Sequence, residues 1–380
     1  MHISRVMSLK ASFHRRTFKF GFAARTSRGA MRDKNSWFIK IWEEEIPEVF
    51  GIGECGPLPG LSVEDNSGLE AVIAQTAEKI NKGKLKLPEM NWSSSGNNKE
   101  VYAWLTEHVG EDILRNNPSI TFALETALHD LGQGGVRLIF DTSFVMGQPI
   151  PINGLVWMGG LDFMLQQIEI KIRDGFRCIK LKVGGLDFEK ECDILQYVRR
   201  KYFRENIVIR LDANVGFKPD EVLYKLNEFS KFDIHSIEQP IRTRSDELPL
   251  LCKNSPIPVA LDEELIGVVD RFAKEELLDR IKPAYLILKP TLHGGFFSSA
   301  EWIILAEERQ IGWWITSALE SNIGLNAIAQ FASTYPIQLP QGLGTGTIYT
   351  DNVPSPLQVK NGCLGYNSGE TWDLSSFESL

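Results

Sequence analysis

The stretch that decides the fold is Arg177-Cys178-Ile179-Lys180-Leu181-Lys182-Val183, which is followed by two glycines. Its alternating pattern predicts a β-strand, because successive side chains of a strand point to opposite faces. Lys180 and Lys182 then share one face, and the apolar residues share the other. A solvated edge strand, whose lysines discourage pairing with another chain, has the same pattern. The stretch therefore predicts a strand, and the residues further along the chain decide what its lysines do.

Short apolar strands of this kind alternate with amphipathic helical patterns from about residue 119 onward. We predict eight strands, at Ile150–Val156, Cys178–Val183, Ile207–Asp212, Ser236–Glu238, Val259–Asp262, Tyr285–Lys289, Gly312–Ser317 and Ile337–Leu339. Helical patterns lie between them, near 161–174, 187–203, 219–229, 264–278, 295–309 and 322–334. This spacing suits a (β/α)-barrel of the TIM type better than an open, doubly wound sheet. We therefore predict an α/β fold in which residues 119–344 form the barrel.

The first 118 residues differ from the rest and predict a separate α+β unit. Strand character occurs at Met7–Phe20, Trp37–Trp42 and Pro47–Ile52, and helical patterns occur at Leu69–Ile80 and Glu100–His108. The polar segment 23–36 is predicted to be a loop that could act as a mobile flap. The turn-rich segment 345–380 is predicted to pack back on the N-terminal unit rather than to form a domain of its own.

The segment Gly51-Ile52-Gly53-Glu54-Cys55-Gly56 matches the G-x-G-x-x-G pattern of dinucleotide-binding proteins. Such a site needs a helix that begins directly after the third glycine, so that the helix N-terminus meets the pyrophosphate. Here Pro57-Leu58-Pro59-Gly60 follows, and this stretch cannot start that helix. We therefore interpret the motif as a turn that ends a strand.

The composition is that of an ordinary globular protein, with 43% hydrophobic and 24% charged residues among 380. A net charge of −8 offers no attraction to nucleic acid or to acidic membranes, and no stretch is apolar enough to span a bilayer. The five cysteines are scattered without a C-x-x-C pair, which argues against disulfides and zinc sites. We expect a cytoplasmic protein.

Three acidic residues end successive predicted strands. Asp212, Glu238 and Asp262 fall at the carboxyl ends of the third, fourth and fifth strands, and these ends open on one face of a barrel. Carboxylates that converge repel one another unless a cation lies among them, and oxygen ligands without His or Cys select a hard ion. Helix caps or rim salt bridges would explain each acid singly. The three together favour a Mg²⁺ site, with Mn²⁺ as a substitute.

Lysines flank this acidic edge from two sides. The second and sixth strands lie opposite each other in an eight-strand ring, so Lys182 and Lys289 should face each other across the mouth. An amine on each face of a metal-bound carboxylate suits removal of the proton next to that carboxylate. Lys180 lies on the same face as Lys182, and together with Mg²⁺ it should disfavour the protonated form of Lys182.

Taken together, these residues resemble the muconate-lactonizing subgroup of the enolase superfamily, which pairs a Lys or His base with Mg²⁺. The matching motifs are Lys180-x-Lys182, Asp212-x-Asn214, Glu238-Gln239-Pro240, Asp262-Glu263 and Lys289-Pro290. The resemblance implies a modified (β/α)7β barrel with an N-terminal capping domain, which residues 1–118 would form. It also implies that Lys182 is the base and that the three acids bind the metal. Lys289 would be the catalytic lysine on the opposite side, and Lys180, Asn214 and Glu263 would support these residues.

Three further stretches resemble the o-succinylbenzoate synthases of that superfamily: Gly56–Ser62, Thr316–Leu325 and Gln341–Gly346. The last has glycines and threonine where dipeptide epimerases of the subgroup carry acids for a substrate ammonium. The resemblance implies dehydration of 2-succinyl-6-hydroxy-2,4-cyclohexadiene-1-carboxylate to o-succinylbenzoate, a step toward menaquinone. Lys182 would take the proton α to the metal-bound carboxylate and return it to the leaving hydroxyl.

The carboxylates of such a small-molecule substrate need further partners. Arg28 in the polar loop is a candidate for Arg–carboxylate pairing, although a solvated loop arginine is an equally good interpretation. The turn after the seventh strand should shape the pocket through backbone N–H groups and volume. The residues predicted for this role are Ser317, Glu320, Ser321 and Gly324.

Two other functions fit the same sequence. A racemase of N-succinylamino acids, or a dipeptide epimerase, would use the same constellation with both lysines as acid–base groups. The alternative from another class is a catalytically inactive barrel that serves as a binding module. Such a protein would be expected to have lost a key residue, and none is missing. The sequence leaves the oligomeric state open.

Overall fold

The computed structural model describes residues 8–26, 29–64, 67–92 and 94–377. Within these ranges the chain begins with an antiparallel sheet formed by β1 (Leu9–Thr26), β2 (Gly29–Glu43) and β3 (Phe50–Cys55). The helices that follow are α1 (Leu69–Lys82), α2 (Asn98–His108), α3 (Glu111–Asn116) and α4 (Pro118–Gly132). Apolar residues alternate along the strands, so that Ile39 and Ile41 of β2 lie in one buried cluster with the apolar face of α4.

The first two strands are longer than the sequence predicted. β1 and β2 pair from Leu9 opposite Glu43 to Thr26 opposite Gly29, with one irregularity between these ends. The predicted loop at 23–36 is therefore wrong for most of its length, because it forms the far part of this hairpin. Polar side chains do not prevent such pairing in an antiparallel ribbon, since one of its faces can be solvated.

All of the glycine motif except its last residue, Gly56, lies inside β3 rather than in a turn after a strand. Gly51 and Gly53 face α4, and a Cβ atom on Gly53 would lie 1.8 Å from the carbonyl oxygen of Ala123. The two glycines therefore let the strand and the helix approach more closely than any larger residue would permit. The interpretation of the motif as a strand-ending turn is wrong, because close packing of a strand on a helix explains its glycines.

The rest of the chain alternates strands and helices around a parallel sheet. In chain order its elements are β4 (Ile150–Pro151), β5 (Gly154–Val156), α5 (Leu161–Arg173), β6 (Cys178–Lys182), α6 (Phe188–Lys201), β7 (Val208–Asp212), α7 (Val222–Ser230), β8 (Ser236–Glu238), α8 (Leu248–Asn254), β9 (Val259–Leu261), α9 (Arg271–Ile281), β10 (Tyr285–Leu288), α10 (Pro290–His293), α11 (Gly295–Glu308), β11 (Gly312–Ile315) and α12 (Asn322–Ala332). The described strands of this sheet have the order β5-β6-β7-β8-β9-β10-β11. This is the strand order of a (β/α)-barrel.

The barrel closes between its first and last strands through isolated bridges. Residues 341 and 342 occupy the eighth position, since Gln341 pairs with Ile152 and Gly342 pairs with Thr316. The predicted eighth strand at Ile337–Leu339 is therefore wrong by a few residues. The side chain of Gln341 also accepts a hydrogen bond from the backbone N–H of Ile315 in β11.

The hydrophobic core of the barrel lies between its strands and its helices. Ile179 and Leu181 of β6 point outward into this layer and are at most 1% exposed. The intervening residues Lys180 and Lys182 point into the barrel, as the alternation predicted. Each described helix is too short or too polar to cross a membrane.

The C-terminal segment contacts both parts of the molecule. Its hairpin, β12 (Leu357–Lys360) and β13 (Cys363–Tyr366), pairs with β4, so the first predicted barrel strand divides into β4 and β5. The ring of Tyr349, in contrast, packs against Phe18 and Phe20 of β1. Helix α4 also serves both parts, because it contacts β3 as well as α10 and α11. The division of the chain after residues 118 and 344 stays a prediction.

Candidate active site

Strand pairing brings the predicted acids and lysines to one end of the barrel. Lys182 of β6 lies opposite Asp212 of β7, and Asp212 lies opposite Glu238 of β8. Asp262 directly follows β9, and Lys289 directly follows β10. These five residues are at most 8% exposed. The alternation of side chains along short parallel strands is what gathers them.

Lys182 is held by side chains of β7 and of the turn that follows it. Its ammonium donates to Asp212 Oδ2 at 2.7 Å and to Asn214 Oδ1 at 2.5 Å. The Nδ2 atom of Asn214 donates in turn to Glu263 Oε1 at 3.1 Å. Asn214 and Glu263 therefore lie where they can orient Lys182.

The other two lysines bind the remaining acids. Lys180 shares Asp212 with Lys182, at 2.9 Å from Oδ2, and lies 2.6 Å from Glu238 Oε2. Lys289 forms a salt bridge with Asp262 Oδ2. Each of the three acids thus has a buried ammonium partner, as groups of this charge require when they are removed from water.

Burial and neighbouring charges act in opposite directions in this cluster. Burial lowers the pKa of Lys180, but Asp212, Glu238 and Asp262 together raise it more, and the net shift is upward. Burial raises the pKa of Asp212, whereas Lys180 and Lys182 lower it more, and its net shift is downward. Burial and the charge of Asp212 keep the pKa of Glu238 well above its usual range. The lysines therefore do not fully offset the repulsion among the acids.

The three acids offer only oxygen atoms as donors, the type of ligand that a hard cation prefers. The buried Oδ1 atom of Asp262 has no hydrogen-bond partner among the described residues. Burial raises the pKa of Asp262, but the charges of Lys289 and Lys180 and a hydrogen bond with Glu238 lower it more, so the net shift is downward. As they stand, no three Asp, Glu, His or Cys side chains of the described ranges lie close enough together to hold a metal ion. Because Lys180 and Lys289 lie among the acids, metal binding would require their ammonium groups to move aside.

A cavity of about 610 Å³ opens beside this cluster. The three lysines line it, and the N-terminal part of the chain contributes apolar walls, among them Met31 and Leu58. Asp212 is the only acid among the described lining residues, since Glu238 and Asp262 lie outside the lining. A partly open, largely apolar cavity with several cationic groups suits a small anionic molecule.

The residues predicted to shape the pocket fall into two groups. Ser317 lies on the cavity wall, as do its neighbours Ala318 and Leu319. The other predicted residues lie behind that wall and are buried: Glu320, Ser321 and Gly324. Ser321 and Gly324 donate hydrogen bonds to a residue of β3 rather than facing the cavity. We therefore revise their assignment from pocket lining to support of the turn.

Sequence reasoning missed several residues of the wall. Asn153, Leu155 and Trp157 belong to the end of the first barrel strand and line the cavity. Alternation along that strand would have identified them. Lys171 of α5 also lines the cavity, and burial lowers its pKa. Nothing in the helical pattern distinguishes Lys171 from a surface lysine. Arg28, predicted to bind a carboxylate, lies outside the described residues.

The chain is similar to known sequences along most of its length. A family model described as enolase C-terminal domain-like matches residues 164–369. The o-succinylbenzoate synthase of Desulfotalea psychrophila is 42% identical over 369 residues, which cover 94% of this chain and 99% of the relative. The L-Ala-D/L-Glu epimerase of Bacillus subtilis is 28% identical and matches 60% of this chain and 62% of the relative.

Solved structures show the same architecture. MenC from Desulfotalea psychrophila has a TM-score of 0.82 at 39% identity and covers 94% of this chain and 99% of its own. A dipeptide epimerase from Enterococcus faecalis, complexed with Mg and a dipeptide, has a TM-score of 0.78 at 18% identity, with 96% and 98% covered. At that identity the likeness to the epimerase shows the fold alone. The predicted barrel with an N-terminal capping domain is confirmed.

Proposed function

The chain belongs to the enolase C-terminal domain-like family, and we propose that within this family it is an o-succinylbenzoate synthase. The observation that carries this proposal is the match to the Desulfotalea psychrophila synthase, which runs through 94% of this chain at 42% identity. The Bacillus subtilis epimerase matches only 60% of the chain, at 28%. Agreement along the whole length matters because the barrel and the N-terminal part line the cavity together.

The proposed reaction is the dehydration of 2-succinyl-6-hydroxy-2,4-cyclohexadiene-1-carboxylate to o-succinylbenzoate, a step toward menaquinone. The C–H bond next to the ring carboxylate breaks, and the hydroxyl group leaves with that proton as water. The new double bond completes an aromatic ring. Because aromatisation supplies much of the driving force, one well-placed base that later acts as an acid is sufficient.

Lys182 is the base in this proposal. It lies on the cavity wall, and its contacts with Asp212 and Asn214 fix the direction of its amine. As a neutral amine it accepts the substrate proton, and as an ammonium it returns that proton to the leaving hydroxyl on the same face. Lys180 shares Asp212 with it, so a second ammonium group lies beside the proposed base.

Asp212, Glu238 and Asp262 would hold Mg²⁺, with Mn²⁺ as a substitute. Their all-oxygen donor set and the partnerless Oδ1 of Asp262 support this assignment. When bound, the ion supplies positive charge beside the substrate carboxylate, whose negative charge grows as the proton leaves. Lys289 lies four strands from Lys182 in the sheet order and adds a cation on the other side of the cavity.

The lining of the cavity favours a substrate without an amine. The closing strand and the segment after it contribute Gly342, Gly344, Thr345 and Thr347, and none of these carries a charge that could pair with an ammonium. A dipeptide substrate would present such an ammonium, whereas the cyclohexadiene dicarboxylate has none. A racemase of N-succinylamino acids stays the second candidate, because its substrates also lack a free α-amine.

The proposed enzyme acts on a small carboxylate and is placed in the cytoplasm. All five cysteines are free, as expected for a protein of a reducing compartment. The net charge of −8 does not favour binding to nucleic acid or to membranes. A small anionic substrate can still bind, because lysines are concentrated at the cavity.

The decisive experiment is an assay of o-succinylbenzoate formation by the purified protein with Mg²⁺, with EDTA, and with EDTA followed by excess Mg²⁺. We expect product that EDTA abolishes and Mg²⁺ restores. N-succinylamino acids and dipeptides are tested in parallel by exchange of the α-proton for deuterium. Exchange without any o-succinylbenzoate would assign the racemase or epimerase alternative. No turnover of any substrate under all metal conditions would favour a binding barrel.

A further inference from the structure

Glu54, in the glycine motif of β3, accepts several hydrogen bonds from residues of the barrel. It is fully buried, and its carboxylate accepts hydrogen bonds from Ser321 N at 2.9 Å, Ser321 Oγ at 2.5 Å and Gly324 N at 3.1 Å. Ser36 Oγ of β2 donates to the same group at 2.7 Å. A carboxylate of the N-terminal part thus accepts hydrogen bonds from the backbone N–H groups at the start of a barrel helix, α12.

The glycines of the motif explain how Glu54 reaches this position. Gly51 and Gly53 face α4 and allow β3 to pack directly on that helix. The alternate residues Ile52 and Glu54 point to the opposite side, where Ile52 shares a buried cluster with Ile323 of α12. The motif that resembles a nucleotide-binding sequence therefore serves as a contact between the two parts of the chain.

The same turn is held at a second point. Leu319 has a left-handed backbone with φ of 63°, which a leucine keeps only when its surroundings hold it. Its carbonyl oxygen accepts hydrogen bonds from Lys34 Nζ at 3.0 Å and from Tyr349 Oη at 2.6 Å. Lys34 belongs to β2 and is 1% exposed. Residues from outside the barrel thus fix both ends of the segment from Leu319 to Gly324.

This segment directly continues the cavity wall formed by Ser317, Ala318 and Leu319. We infer that Glu54 is a positioning residue, which sets the place of this wall from the N-terminal part of the chain and thereby the fit of the substrate. Glu54 is not among the residues that line the cavity. It acts through the turn and takes no part in proton transfer. The kinetic consequence rests on the proposed function, whereas the structural consequence does not.

The test is Glu54→Gln, which keeps the shape but places an NH₂ group among hydrogen-bond donors. We expect a loss of about 10- to 100-fold in kcat/KM for dehydration, since small misplacements of a substrate-positioning wall have effects of this size. The thermal shift on adding Mg²⁺ should stay as in the wild type. Hydrogen exchange should accelerate in the amides of residues 316–324 and stay unchanged in β6 and β7.

A matched control is Asp130→Asn. Asp130 is also fully buried and accepts a hydrogen bond from the same strand, at Ile52 N, and its other partner is Arg137; neither Ile52 nor Arg137 lines the cavity. This variant should lose stability while kcat and KM stay within about 3-fold of the wild type. Equal kinetic losses in Glu54→Gln and Asp130→Asn would overturn the inference, because a general loss of stability would then explain both.

Ser321→Ala provides a milder variant should Glu54→Gln fail to fold. It removes one donor to Glu54, and its effect on kcat/KM should be non-additive with that of Glu54→Gln if both act through the same turn. Wild-type kinetics and unchanged exchange at 316–324 in the variants would overturn the inference. If the wild type forms no o-succinylbenzoate, the proposed function fails, and the exchange measurement still decides the role of Glu54.

Discussion

Lys180 and Lys182 lie on the same strand but have different binding partners. Lys182 binds Asp212 and the amide of Asn214, whereas Lys180 bridges two carboxylates and is held as a cation. Lys182→Ala should therefore lower kcat for dehydration by about 10²- to 10⁴-fold, the usual contribution of a general base. Mg²⁺ should still stabilise the Lys182→Ala variant. Thermal unfolding with and without the ion measures this.

A surface lysine provides the control for this prediction. Lys190 is exposed and forms a surface salt bridge with Asp187, so Lys190→Ala should retain wild-type kcat and KM. Near-normal turnover by purified Lys182→Ala would refute the assignment of the base. Loss of the Mg²⁺ response in that variant would instead mean that Lys182 maintains the acidic cluster.

Glu125 makes stability depend on pH. Burial raises its pKa to about 8, although the backbone N–H groups of Phe296 and Phe297 lower it. The folded protein therefore keeps a proton that the unfolded chain releases above about pH 4.5, and this contribution to stability is lost as the pH rises through 8. Relative to Glu125→Gln, the wild type should lose up to about 1.4 kcal/mol per pH unit between pH 5 and 8. An equal change in the free energy of unfolding of the wild type and Glu125→Gln between pH 5 and pH 8 would contradict this.

At the scale of elements, the sequence predicted the features that depend on local patterns better than those that depend on long-range contacts. The positions of Asp212 and Glu238 followed from alternation and from strand ends, both of which are readable over a few residues. The closing strand was misplaced because its bridges fall at Gln341 and Gly342, which lie outside the apolar alternation of Ile337–Leu339. The contact of Glu54 with α12 spans 267 residues, from Glu54 to Ser321, and no local pattern reveals such a partner.

The packing of β3 on α4 gives a prediction at this scale. A Cβ atom at residue 53 would lie 1.8 Å from Ala123 O, so Gly53→Ala forces the strand off the helix. We expect a loss of at least about 3 kcal/mol in the free energy of unfolding, the upper range for overpacking. Gly21→Ala in β1 is the control, since its Cβ would meet Thr350 Cγ2 at an ordinary 3.5 Å. Equal midpoints of denaturant unfolding for the two variants would refute the packing argument.

For the molecule as a whole, the charge distribution matters more than the net charge. A chain with a net charge of −8 buries three acids and three lysines at one end of its barrel and surrounds a cavity with the lysines. The N-terminal part and the C-terminal segment complete that cavity, so binding there stabilises the assembled chain rather than one element. A ligand that favours the folded state by mass action should raise the stability of the entire molecule.

Mg²⁺ is the ligand for which this expectation is sharpest. At 100 times its Kd it should stabilise the wild type by about 2.7 kcal/mol, and EDTA should reverse the rise in Tm. Asp262→Asn removes the charge from the carboxylate whose Oδ1 lacks a partner, so this variant should lose most of the response while it stays folded. Glu125→Gln, a buried change in α4, should keep the response in full. A wild type whose Tm is indifferent to both Mg²⁺ and EDTA would mean that the three acids are neutralised by Lys180, Lys182 and Lys289 alone. The barrel would then be a binding module without a metal-assisted reaction.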